Sequence, residues 1–122
     1  MAANANIQIT GTILGTPAGG RTVGPLTISS AAANGQVQQI VLQSGANTIT
    51  CPTTPAPSGC IIVLPPTNTA VTTLKGISGD TGIAIGKTSQ LVLNWDSTAV
   101  PTSFVLNSAS TQTGLVTEII FF

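Results

Sequence analysis

Histidine is absent from this chain, and only three acids and three bases occur in 122 residues. Without histidine, a serine, threonine or cysteine lacks the base that most often activates it as a nucleophile. The two cysteines, Cys51 and Cys60, cannot form a standard zinc site without further ligands of the right kind. Arg21, Lys75 and Lys87 are balanced by Asp80, Asp96 and Glu118 to a net charge of zero, so the positive footprint that holds phosphates is missing. Nucleic acid is therefore not an expected partner. Long apolar runs are also missing: none approaches the ~20 residues of a membrane-spanning helix. Residues 1–10, MAANANIQIT, have neither the basic nor the apolar region of a secretory leader. These absences lead to the expectation of a protein made in the cytoplasm, with no membrane partner, cofactor or metal.

Charged residues make up 5% of the chain, against about 25% in an ordinary soluble domain. Its water-facing surface must be supplied by neutral groups, and threonine, with 20 copies, is the main source. Together with 13 Ile and 9 Val, threonine makes β-branched side chains the dominant class. These are stiff at their first torsion and suit a pleated sheet. The good helix formers are scarce, with one Glu, two Lys, one Arg and one Met. The expected class is all-β, and the length is that of one domain.

Ten candidate strands can be read from apolar runs punctuated by turn residues: Asn6–Leu14, Thr22–Ser30, Gln36–Gln43, Asn47–Cys51, Cys60–Leu64, Ala70–Ile77, Gly82–Ile85, Gln90–Trp95, Ser103–Leu106 and Gly114–Phe122. Alternation is clear in Ile7 and Ile9 against Gln8 and Thr10, in Leu26 and Ile28 against Thr27 and Ser29, and in Leu91, Leu93 and Trp95. Each of these strands has a dry face and a wet one. Asn34-Gly35, Ser44-Gly45, Pro65-Pro66, Gly79-Asp80 and Ala99-Val100-Pro101 supply turns. The pattern predicts a single-domain antiparallel β-sandwich, jelly-roll-like by strand count, over residues 7–122, preceded by a flexible N-terminal arm of residues 1–6. Cys51 and Cys60 flank residues 52–59, read as a turn between two strands, which places them at a hairpin base. Either a disulfide or a pair of free thiols fits that placement.

Two stretches imitate catalytic or nucleotide-binding motifs. Residues 15–22, GTPAGGRT, approach the phosphate-cradling loop with Arg21 in the lysine position. That loop needs a helix directly after it, and Val23-Gly24-Pro25 follows instead. Asp80-Thr81-Gly82 copies the signature of aspartic proteases, which pair two carboxylates around one proton. Here Ser78-Gly79 precedes the aspartate where an apolar strand is required, and a β-turn bonded by the Asp80 side chain is the simpler reading. A retroviral-type protease stays as a remote alternative, with peptide cleavage abolished by Asp80→Ala as its signature. Sugar hydrolysis by Asp80, Asp96 and Glu118 would require the fold to bring two of them together, and with a single Trp no aromatic sugar platform is well supplied.

Three longer stretches carry a family resemblance: Ser44-Gly45-Ala46-Asn47-Thr48-Ile49-Thr50-Cys51-Pro52, Ile61-Ile62-Val63-Leu64-Pro65-Pro66, and Thr73 through Ile85, TLKGISGDTGIAI. In strand patterning and composition they resemble small virion proteins of tailed double-stranded DNA bacteriophages, most closely the cement or decoration proteins that bind the capsid exterior. The resemblance implies a non-enzymatic β-sandwich, commonly trimeric, seated where major capsid protein subunits meet. It brings no catalytic or cofactor residues with it.

The residues agree with a self-associating protein in their own right. Sheet edges are normally blunted by Lys, Pro or inward charge, and this chain has two lysines. Covered edges make a homo-oligomer the default, with a trimer favoured. Candidate capsid or subunit contacts are Ala2, Ala3, Asn4, Ala5 and Asn6 of the arm, Arg21 in its glycine-rich loop, and Ile120, Phe121 and Phe122 at the apolar C-terminus. For the last three, a central strand within the monomer is the competing reading. The rival function is a tail-fibre or receptor-binding sandwich that recognises a cell-surface glycan.

Overall fold

The computed structural model describes residues 3–13, 21–33, 36–96 and 98–122. Among these, ten strands and no helix occur, as the scarcity of helix formers requires. The strands are β1 (Ala3–Ile13), β2 (Arg21–Ala33), β3 (Val37–Ile40), β4 (Gly45–Thr50), β5 (Gly59–Val63), β6 (Thr72–Lys75), β7 (Ile83–Ile85), β8 (Gln90–Asn94), β9 (Ser103–Ser108) and β10 (Thr117–Phe121). Each overlaps one of the ten segments expected from the sequence, with ends shifted by a few residues.

Eight of them make a sandwich of two four-stranded antiparallel sheets, ordered β3-β10-β5-β8 and β4-β9-β6-β7. Alternation sets the faces. In β10, Thr117, Ile119 and Phe121 are buried while Glu118 and Ile120 are half-buried on the other side. Ile49 of β4, Cys60 and Ile62 of β5, Phe104 and Leu106 of β9 and Leu42 between strands complete the core. Burying a side chain such as Phe121 is worth about 1.5–3 kcal/mol. On the wet side of the same sheet, Glu118 stands opposite Gln39, whose Nε2 donates to the carboxylate at 2.9 Å.

β1 and β2 do not join either sheet. They form an antiparallel ribbon of their own, with Ile7 opposite Ile28 and Ile9 opposite Leu26. The expected arm of residues 1–6 meets the structure at Ala3–Asn6, which open β1; Met1 and Ala2 lie outside the described residues.

Only the β6–β7 connection within the sandwich links neighbours in one sheet; every other connection from β3 onward crosses between sheets. This corrects the hairpin expected around Cys51 and Cys60. β4 pairs with β9 and β5 with β10 and β8, so residues 52–59 carry the chain from one sheet to the other. The two cysteines meet in the core from opposite layers, and both are buried free thiols.

Candidate functional site

The sandwich has two lateral edges among the described residues. On one, β3 and β4 are the edge strands, tied by Gln38 Nε2 donating to the Thr50 carbonyl at 2.8 Å. On the other, β7 and β8 are the edge strands. There a groove of about 390 Å³ is lined by Leu74 and Ile83 from the β6–β7 hairpin, Leu93 and Trp95 from the end of β8, and Pro101 and Phe104 from the start of β9, with Lys75 and Asp80 also on its wall.

Each wall is held by local chemistry. Trp95 is fixed at both ends of its polar reach: its indole Nε1 donates to the Pro57 carbonyl at 2.7 Å and its backbone N–H to the Ser58 carbonyl at 3.1 Å. The indole is therefore tied to the 52–59 crossover. On the opposite wall, Asp80 closes a turn, its N–H donating to the Ile77 carbonyl at 3.1 Å and its Oδ2 accepting the Ile77 N–H at 2.9 Å. The turn read from Gly79-Asp80 in the sequence is thus present, and Asp80 is exposed. Lys75 Nζ reaches the Ser78 carbonyl at 3.4 Å across the same turn. Gly82 then brings the chain into β7 with φ of +73°, and a Cβ there would stand 2.5 Å from the Leu74 carbonyl oxygen. Both the torsion and the close approach require glycine.

The groove has a largely apolar wall with one cation and one anion, so its chemistry is that of holding apolar surface or a ring face. Ile83 is 71% exposed and Ile77 67% exposed beside it. An edge strand of Ile83-Ala84-Ile85 carries none of the charge or proline that normally blunts an edge.

The other candidate residues fall elsewhere. Ala3, Asn4, Ala5 and Asn6 lie in β1, with Ala3 opposite Ala33 and Asn6 opposite Ser29. Arg21 opens β2 opposite Ile13, while residues 15–20 of the phosphate-loop look-alike lie outside the described residues. The C-terminal residues Phe121 and Phe122 are buried in the protein's own core, and Phe122 extends the ladder to β5 through Gly59. The apolar end is thus covered by its own sheet, in a strand between β3 and β5, which is the competing reading named for these residues. Ile120 is half-buried in the same strand.

Burial raises both thiols, and Cys60 is pushed up to about 12, with the neighbouring Cys51 adding to the effect. Neither is an activated thiolate. Asp96 is held below the ordinary carboxylate range by hydrogen bonds from the Thr98 hydroxyl and backbone N–H. Among the described residues, no three His, Cys, Asp or Glu side chains converge on one point, and no helix is long and apolar enough to cross a membrane.

The groove was not foreseen. Its residues looked like ordinary core positions in the sequence, since Leu93 and Trp95 alternate as a dry face does. Only the pairing order, which makes β7 and β8 edges on the same side, leaves them partly uncovered. No protein family, curated protein or solved structure matches this chain.

Proposed function

We propose that this chain is a non-enzymatic structural protein of a virus particle, a cement or decoration protein that binds the capsid exterior as an oligomer and stabilises the shell. The observation that carries the reading is the β1–β2 ribbon. It is a long two-stranded sheet, and among the described residues it pairs with no strand of the sandwich. An isolated hairpin is marginal in water, so a ribbon of this kind is suited to being completed by other protein. The uncharged edge at β7 has the same character.

The winding supports this placement. Numbering the sandwich strands one to eight from β3, the sheets run 1-8-3-6 and 2-7-4-5, an order that supports reading the sandwich as a jelly roll of two Greek keys. That fold recurs in viral capsid proteins and in lectins, an argument by analogy of fold. With charges at 5% of the chain, attachment rests on shape, backbone hydrogen bonds and many simultaneous contacts. The partners under this reading are the major capsid protein and further copies of this chain, and the place of action is the outside of the capsid.

The test is co-sedimentation of the purified protein with capsids that lack it. Stoichiometric, saturable binding is expected, with capsids surviving higher temperature once coated; no binding at micromolar concentration would sink the reading. One observation favours a second function. Trp95 lines an open groove beside Asp80 and Lys75, a combination that suits a sugar ring in a receptor-binding module. Glycan binding lost in Trp95→Ala, with no binding to capsids, would establish that alternative.

A further inference from the structure

The winding brings the two cysteines into one core from stretches that belong to different sheets. Cys60 lies in β5, opposite Leu93 of β8 on one side and Phe121 of β10 on the other. Cys51 directly follows β4 of the second sheet, where its N–H donates to the Thr102 carbonyl at 2.9 Å and keeps the chain beside the start of β9. Alternation turns both inward: Ile49 and Cys51 are buried on either side of exposed Thr50, as Cys60 and Ile62 are on either side of half-buried Ile61. Cys51 is 2% exposed and Cys60 0%, and both belong to the same core cluster.

The two thiols are near enough to sense each other, since a charge on Cys51 adds to the burial that holds Cys60 protonated. Among the described residues no group of three His, Cys, Asp or Glu forms, so the pair lacks the further ligands of a metal site. The crossover between them is anchored just before Cys60. There the Pro57 carbonyl accepts from Trp95 Nε1 at 2.7 Å, and the Ser58 N–H donates to the Phe122 carbonyl at 2.6 Å. The fold, and not a free loop, therefore sets the spacing of the pair.

We propose that Cys51 and Cys60 are a redox pair that closes into a disulfide between the two sheets and locks the 52–59 crossover. The oxidant is a low-molecular-weight disulfide such as glutathione disulfide. One cysteine thiolate attacks a sulfur of the oxidant and releases one glutathione thiolate. The second cysteine thiolate then attacks the protein sulfur of the mixed disulfide, forms the Cys51–Cys60 bond and releases the second glutathione. The protein gives up two electrons and two protons, and the oxidant takes them up as two thiols. Both cysteines are buried and protonated in the closed fold, so the exchange runs through local opening of the crossover. The inference concerns the core alone and is independent of any capsid or glycan partner.

The test compares the full chain before and after incubation with glutathione disulfide at mildly alkaline pH, in urea below the unfolding midpoint, followed by removal of the urea. The oxidised chain is expected to be lighter by two hydrogens, to resist iodoacetamide in denaturant until dithiothreitol is added, and to run as a single chain on a non-reducing gel. Its melt should stay cooperative and lie about 10 °C above that of the reduced protein, the order expected for closing so short a loop. A disulfide spans Cα atoms no more than about 7 Å apart, so its formation with a native melt reads the spacing of the pair directly. Cys51→Ala and Cys60→Ala should each show no rise on the same treatment; if either fails to fold, the oxidised and reduced wild-type proteins still decide. Thiols that both remain open to iodoacetamide, glutathione adducts without ring closure, a cross-link between chains, or an oxidised chain that melts no higher than the reduced one would each overturn the proposal.

Discussion

The ring of Phe122 lies where a side chain at Gly59 would have to go. A Cβ built on Gly59 would stand 2.7 Å from Phe122 Cζ and would also collide with the Leu93 carbonyl oxygen on the neighbouring strand. The C-terminal residue is thereby locked over β5, where its N–H donates to the Gly59 carbonyl at 3.1 Å and its carbonyl accepts from Ser58 at 2.6 Å.

Gly59→Ala should accordingly cost about 3 kcal/mol, the upper range for overpacking, since backbone on one side cannot move aside. In a domain of this size that lowers the melting temperature by about 10 °C or more. Differential scanning calorimetry reads it directly, and an unchanged melt would show that both the Leu93 carbonyl and the Phe122 ring give way to the added methyl group.

The buried thiols give the fold a sensitivity to alkali. Cys60 has a folded-state pKa of about 12 against 9.0 for the free group, so the folded state favours the protonated form. Its contribution is complete below pH 9 and is lost as pH rises from 9 towards 12, at up to about 1.4 kcal/mol per pH unit. The chain contains no tyrosine to add to this. Melting temperature should fall across that window, and Cys60→Ala, though less stable at neutral pH, should show a flatter decline. An equal slope in the variant would assign the alkaline loss to other groups.

Asn68 stitches the β5–β6 loop to the β7–β8 loop. Its Nδ2 donates to the Lys87 carbonyl at 2.6 Å and to the Ala70 carbonyl at 3.1 Å, while Oδ1 accepts the Ala70 N–H at 3.0 Å. Asn68→Ala strands buried backbone groups and should cost about 2–3 kcal/mol. Urea unfolding will show whether the midpoint falls with the slope unchanged; a loss under about 0.5 kcal/mol would mean the loops hold without it.

Thr117 behaves in the opposite sense. Its hydroxyl is buried with no hydrogen-bond partner, so Thr117→Val removes an unsatisfied polar group at nearly constant shape. A gain of about 1 kcal/mol is expected in the same urea assay. Destabilisation would reveal that the hydroxyl has a partner in solution.

Much of the strand layout was legible in the chain. β8 was readable because alternation at Leu91, Leu93 and Trp95 is local and periodic, β10 because Ile119-Ile120-Phe121-Phe122 is an apolar run of β-type residues, and the Asp80 turn because Gly79-Asp80 carries its own turn chemistry. The fate of Cys51 and Cys60 was not, because residues 52–59 look alike whether they close a hairpin or cross between layers. Nor was the groove, whose residues come from three separate stretches and share no motif.

From the amino-acid order alone follow the all-β class, the approximate place of each strand and the choice of inward residues, since β-branched content, alternation and turn residues act over a few positions. Tertiary structure alone decided which strands pair, that β1 and β2 stand apart, that the apolar C-terminus is consumed in the core, and that β7 and β8 frame an open groove. Those outcomes depend on contacts between residues far apart in the chain, where the most favourable joint burial of all the strands, and no local preference, selects the partner.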